Sequence, residues 1–149
     1  MELVIARQDK FKLIIEKYNL IEHPEGGWYR ETLRTTERVT VRPGVNRPLC
    51  TLIYYLLPAG VTSRIHRVAS DETWLFHEGD PLELMLYDPS GQAVIQTQVL
   101  GTDINPTIHL QFKIPKNTWF NARIAQGGSY ALAACLVSPG FEFEDLEFL

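Results

Sequence analysis

Gly60-Val-Thr-Ser-Arg64-Ile-His66-Arg-Val68-Ala-Ser-Asp-Glu72-Thr-Trp74-Leu-Phe76-His77-Glu-Gly79 is the stretch whose reading decides the fold. It reads as two short strands, about 62–67 and 72–78, joined by a turn at Ser70-Asp71. One glycine opens it and another closes it. Between them His66 and Glu72 lie six residues apart. Side chains alternate across a strand, so Arg64 and His66 share a face, while Glu72 and His77 point to opposite faces.

The rest of the chain suits one ordinary globular domain over residues 1–149. Apolar residues make up 45% and charged residues 21%, which argues against disorder. No run approaches the roughly 20 apolar residues that cross a bilayer, so no membrane partner is expected. Met1-Glu-Leu-Val-Ile-Ala6 has no basic flank and too short an apolar run for a secretory leader. Cys50 and Cys135 sit in apolar strand-like runs and read as buried free thiols. A cytoplasmic protein is the simplest reading.

A net charge of −4 gives no reason to expect nucleic acid, but its distribution is uneven. Residues 30–67 carry seven arginines against Glu31 and Glu37, and the last nine residues carry Glu142, Glu144, Asp145 and Glu147. Arginine forks suit carboxylates and phosphates. Most of these arginines are expected on solvated strand faces. Arg64, beside His66, is the candidate to reach an anionic ligand.

Asp9 can cap a helix running through about Tyr18, with Phe11, Ile14, Ile15 and Tyr18 on one apolar face. Asn19 or Leu20 should end it. His23-Pro-Glu25-Gly-Gly27 marks a bend, followed by a strand at 28–33 and a second at about 36–41. Residues 42–48 read as loop. Leu49–Leu57 alternates little and is expected to be covered on both faces. Further strands are expected at 81–88, 92–99, 108–114, 119–123 and 130–137, and Asp88-Pro-Ser-Gly91 is a hairpin signal. The tail from Phe141 to Leu149 should pack back on the domain. Nine or ten short strands with tight turns describe an all-β sandwich or barrel.

The spacing of Gly60, His66, Glu72 and Gly79 resembles the first motif of the cupin superfamily: glycine, five residues, His-x-His, three or four residues, glutamate, six residues, glycine. Further stretches are similar to its DUF985 (cupin-5) branch, among them residues 20–32, 51–57, 63–74, 79–82, 115–120 and 138–143. The resemblance implies an all-β double-stranded β-helix (jelly-roll) barrel preceded by a short helix. It also implies a ligand cavity in the barrel mouth and a homodimer. It does not by itself imply a reaction.

Metal cupins bind through three histidines and a glutamate. Here His66 and Glu72 remain, while Val68 and Phe120 stand where two histidines belong, and Asn117 replaces a glycine after Pro115. Two ligands are too few for a tight transition-metal site, so no metal and no cofactor is expected. A metal-dependent cupin with a reduced ligand set is the third reading.

Without a metal, a buried Glu72 needs a partner or a proton. His66 and Glu72 are therefore read either as a structural pair or as an acid/base couple with His66 as the base. Tyr54, Tyr55, Trp74, Phe76, Trp119 and Phe120 are expected to add aromatic walls. The metal-free epimerases of the superfamily act on nucleotide-linked keto-sugars with a histidine base and a tyrosine. The resemblance suggests His66, Glu72 and Tyr55 in such roles, with Tyr54 as the alternative. Residues 23–27 are either a rim loop through which Glu25 or Arg30 touches ligand, or a bend that sends the next strand to a partner subunit. The leading expectation is binding of a small molecule, such as a sugar or nucleotide sugar, with metal-independent epimerase- or isomerase-type proton transfer. The second is a non-catalytic binding or sensing module.

Overall fold

The computed structural model describes residues 7–149, and the side chains from Asp9 onward. The Met1–Ala6 stretch, read above for a leader, lies outside the described residues. Helix α1 (Arg7–Tyr18) begins two residues before Asp9, which therefore stands inside its first turn rather than capping it. A carboxylate there still complements the helix dipole. Asn19 adopts φ +51°, and the Leu20 N–H donates to the Ile15 carbonyl, which closes the helix as its sequence predicts. Ile14 is buried, and Phe11, Ile15 and Tyr18 pack with it against Leu56, Tyr130 and Leu132.

Two six-stranded sheets form the barrel. The first runs, in spatial order, β1 (Ile21–Glu22), β2 (Trp28–Arg34), β5 (Thr51–Pro58), β13 (Tyr130–Ser138), β7 (Asp71–Gly79) and β11 (Gln111–Ile114). The second runs β10 (Ile108–His109), β9 (Val94–Leu100), β8 (Leu82–Tyr87), β12 (Phe120–Ile124), β6 (His66–Val68) and β14 (Leu146–Phe148). This is the jelly-roll arrangement. The inward faces meet in a core that includes Tyr55, Leu57, Trp74, Leu84, Phe120 and Ala133. α1 covers the outer face of the first sheet, so β5 is buried on both sides and loses its alternation.

Two expectations need correction. Residues 42–48 are not all loop: β3 (Arg38–Arg42) and β4 (Val45–Pro48) form a hairpin closed at Gly44, φ +76°. The breakers there make the turn, and the flanking residues pair. The strand expected at 62–67 shrinks to β6. The Ser63 N–H donates to the Ala122 carbonyl and the Arg64 N–H to the Glu25 carbonyl, so residues 62–65 belong to no ladder. Arg64 and His66 consequently do not share a strand face. The tail does pack back. It turns at 143–145 and adds β14 to β6, with Phe148 opposite His66.

Candidate functional site

The site is built around a loop and two short strands. In the loop, the Gly26 N–H donates to the His23 carbonyl at 3.0 Å and the His23 N–H to the Gly27 carbonyl at 2.9 Å. Gly27 has φ +80°, and a Cβ there would stand 2.8 Å from the Tyr55 hydroxyl. Only glycine fits that approach. The Glu25 N–H donates to His23 Nδ1 at 3.1 Å. This tight turn drives the Glu25 carboxyl inward, where it is 92% buried (8% exposed).

His66, 2% exposed, receives it. Its Nε2 lies 2.8 Å from Glu25 Oε2, and its Nδ1 lies 2.6 Å from the Arg64 carbonyl oxygen. A carboxylate and a carbonyl both accept, so both ring nitrogens donate and the ring is an imidazolium. Burial alone would depress its pKa. The charge and hydrogen bond of Glu25, the charge of Glu72 and the Arg64 carbonyl outweigh burial and push it up to about 9. Burial likewise opposes ionisation of Glu25, but His66 holds its carboxyl below the usual range. The pKa of His23 is pushed down chiefly by burial, with the charge of Glu25 opposing and that of His66 adding to the fall.

Glu72 lies on β7 and is also 8% exposed, but it has no such partner: its Oε2 makes no hydrogen bond. Burial, then the charge of Glu25, raises its carboxyl to about 7, with His66 and the nearby Trp74 indole opposing the rise. Trp74 Nε1 approaches but forms no bond of acceptable geometry, and it too is unpartnered.

A cavity of about 240 Å³ lies against these groups. His66, Val68 and Glu72 line its inner end, with Glu25 and His23 beside them. Tyr29, Glu31 and Ile53 come from the first sheet, and Phe141, Phe143 and Leu146 from the tail. Ile21 and Phe143, 50% and 52% exposed, mark the mouth. Arg34 closes one side. It forks onto Glu31 at 2.8 and 2.9 Å and reaches Glu142 at 2.7 Å and the Phe141 carbonyl at 2.9 Å.

Of the residues singled out from sequence, His66, Glu72, Glu25 and Arg30 border this cavity. The carboxylate in contact with His66 is Glu25, not Glu72. Arg30 stands opposite Tyr54, on the outer-face side of the β2–β5 register, and yet lines the cavity. Tyr54 packs there on Tyr18, with ring centroids 4.6 Å apart. Tyr55 faces inward but sits behind the loop, its hydroxyl donating to the Gly26 carbonyl at 2.6 Å. Trp74, Phe76 and Phe120 are core, and Phe120 packs on the His66 ring at 4.3 Å. Trp119 is covered by Arg67, and Arg64 lies over Phe148 outside the cavity. His23, Tyr29, Glu31, Arg34 and Phe143 are among the cavity residues that sequence reasoning did not single out. The excess of arginines before an acidic tail was the available signal.

The donor set does not fit a metal ion. Both His66 nitrogens are spent on acceptors, Val68 and Phe120 offer no ligand, and among the described residues no group of three or more His, Cys, Asp or Glu is arranged to hold a metal ion.

Fold and site together define a cupin in which the usual metal-binding end of the barrel holds a His–Glu ion pair. The family model of the cupin superfamily branch DUF985 (Cupin_5) matches residues 12–149, and the chain belongs to that family. A hypothetical protein from Leishmania major is 32% identical, with a TM-score of 0.81, over 93% of this chain and 86% of its own. A Shewanella oneidensis protein is 35% identical, with a TM-score of 0.81, over 93% of this chain and 83% of its own. The uncharacterized protein YML079W of Saccharomyces cerevisiae is 28% identical over 91% of this chain and 73% of that protein. An oxalate decarboxylase mutant from Bacillus subtilis, 16% identical with a TM-score of 0.57, shares the fold over 29% of its length. Cupin folds commonly bind small molecules. Among the described residues no helix is long and apolar enough to cross a membrane.

Proposed function

We propose that the cavity binds a small polar molecule and that Glu72 exchanges a proton with it, in epimerase- or isomerase-type chemistry that uses no metal. The observation that carries this is the unpartnered, buried Oε2 of Glu72 at the cavity wall. An orphaned buried carboxylate oxygen is costly, and a ligand hydrogen bond would remove that cost. A carboxyl held near pH 7 is also poised to give or take a proton. His66 is not the base in this reading, because both its nitrogens already carry protons. It fixes Glu25 and adds positive potential beside Glu72.

The size of the cavity limits the ligand. About 240 Å³ is below the roughly 300–1,000 Å³ typical of drug-sized ligands. It suits a single sugar ring or short acyclic molecule rather than a whole nucleotide sugar. The second reading, a non-catalytic binding module, draws support from the same double donation by His66, which leaves Glu72 without an acid–base companion.

Native mass spectrometry of the freshly purified protein, compared with its denatured mass, is the test. A retained small organic mass is expected. Its turnover by the native protein and not by Glu72→Gln supports the enzyme, and retention without turnover supports the binding module. A protein that retains nothing and turns over no ring-sized keto-sugar or polyol overturns both.

A further inference from the structure

His23 borders the cavity with a polar atom that the chemistry proposed for Glu72 leaves unused. Its side chain is 7% exposed. Nδ1 accepts the Glu25 N–H at 3.1 Å, so that nitrogen carries a lone pair and no proton. A neutral imidazole keeps one proton, and here it sits on Nε2. Burial supports the neutral form by pushing the pKa of the ring down. Among the described residues Nε2 has no hydrogen-bond partner, and unlike Glu72 Oε2 and Trp74 Nε1 it is not sealed from water.

The ring is held so that this donor keeps its direction. Nδ1 tethers it to the loop, and Tyr29, Tyr55 and Phe143 stand around it with ring centroids at 4.6, 6.0 and 6.3 Å. Turning the ring over would set a C–H against the Glu25 N–H and lose that bond. The Tyr55 hydroxyl is committed to the Gly26 carbonyl and does not compete for the donor. A fixed N–H with no partner takes an oxygen lone pair. A carbonyl oxygen suits it because it accepts and brings no proton of its own.

We infer that His23 is a specificity-determining residue of the cavity, whose Nε2–H receives a carbonyl oxygen of the ligand. This rests on the reading of the cavity as a ligand site and narrows the ligand to a carbonyl compound. It also gives the cavity a second polar group beside Glu72, the part His66 cannot play because both its nitrogens already donate to the protein. A neutral imidazole of this kind polarises a carbonyl without giving up its proton.

The experiment uses the full chain with isotope-labelled histidine near neutral pH and reads the ring nitrogens by NMR. In the native protein His23 is expected as the neutral tautomer protonated on Nε2. Tetrahydropyran-4-one is then titrated beside tetrahydropyran, which has the same ring without the carbonyl. The ketone is expected to move the His23 Nε2–H resonance and to bind about fivefold or more tightly than the ether. Two variants separate the ligand contact from the loop contact. His23→Asn keeps a side-chain acceptor for the Glu25 N–H and removes the cavity donor. It should erase the ketone's advantage and leave the His66 pKa in place. His23→Gln carries an amide N–H toward the place of Nε2 and should restore part of that advantage. Should either variant fold poorly, the tautomer and the resonance shift in the native protein still decide. An imidazolium or an Nδ1-protonated ring, ketone and ether bound alike, or an advantage that survives His23→Asn overturns the His23 assignment and leaves the ligand-site reading standing. Absence of binding by both probes overturns both.

Discussion

His66 donates from both ring nitrogens to fixed acceptors, and this sets how the protein should respond to pH. Its folded pKa of about 9 lies above the ordinary 6.5. The folded state therefore binds the proton more tightly, and the resulting stability is fully present below about pH 6.5 and lost as pH rises through 9. Glu72 has the same sign: its stabilising proton, held to about 7 against an ordinary 4.5, is lost between those values. Glu25 has the opposite sign, and its contribution is lost as pH falls below the ordinary carboxylate range. Urea unfolding from pH 5 to 9.5 should therefore show stability declining on the alkaline side, by at most about 3 kcal/mol for each of the two groups. Glu72→Gln should flatten the segment between 4.5 and 7 and leave the segment around 9. A flat profile in the native protein would remove the charged pair from the site. Glu25→Gln should cost about 3 kcal/mol, since it leaves a buried imidazolium unmatched. Combined with His66→Gln, the loss should be smaller than the sum, measured by a double-mutant cycle. His66 and Glu72 were legible in the sequence because their spacing sits within one strand–turn–strand unit. That Glu25 rather than Glu72 holds His66 was not. The contact joins residues far apart in the chain and depends on the conformation of a glycine pair. The alternation of β5 likewise told that Tyr54 and Tyr55 face opposite ways, but not which faces in, because both sides of that strand are covered.

Two elements hold the site, one at each end of the chain. The loop at 23–27 positions Glu25 through Gly27, whose place leaves no room for a Cβ beside the Tyr55 hydroxyl and the Leu56 carbonyl, at 2.8 and 2.9 Å. Gly27→Ala should cost about 2 kcal/mol by overpacking and backbone strain, seen as a lowered urea midpoint. It should also lower the alkaline pKa assigned to His66, since Glu25 would shift. A merely destabilising change elsewhere would leave that pKa in place. The tail is the second element. Arg34, Arg47 and Arg67 each take an acidic tail residue, which explains the uneven charge of the sequence as a set of straps rather than an anion site. Only one of the three is dry: Arg47 and Asp145 are 6% and 7% exposed and meet through two bonds of 2.7 and 2.8 Å. Arg47→Met should therefore cost about 3 kcal/mol by leaving Asp145 buried and unpaired. Arg67→Met, at an exposed pair, should leave the unfolding temperature nearly unchanged. Thermal unfolding of the two variants side by side checks the contrast. The charge pattern was readable from the sequence. Its pairing was not, because β14 must first add to β6 before tail and arginines meet.

At the scale of the whole molecule, the choice of a jelly-roll barrel came from the resemblance of the Gly60–Gly79 stretch to the cupin motif, while short strands and tight turns were legible as an all-β sandwich or barrel. The hairpin of β3 and β4 was not, and it stands apart as a two-stranded sheet whose β3 is exposed throughout. An isolated two-stranded hairpin is marginally stable in water and presents open edges. Val39 and Val41 on β3, and Leu33 and Leu49 beside it, are 37–44% exposed, so the ribbon carries apolar side chains without a cover in one copy of the chain. We propose that a second copy covers it, because a hairpin can complete its pairing and bury these side chains against its own symmetry mate. The expected outcome in light scattering coupled to gel filtration is twice the mass of the chain at micromolar concentration. Val39→Lys and Val41→Lys together place like charges on both sides of such a contact and should shift the mass to that of one chain, with the circular dichroism of the barrel unchanged. A native protein that elutes as a single chain would mean that the ribbon stays open in solution. A dimer that survives both lysines would place the contact on another face of the barrel.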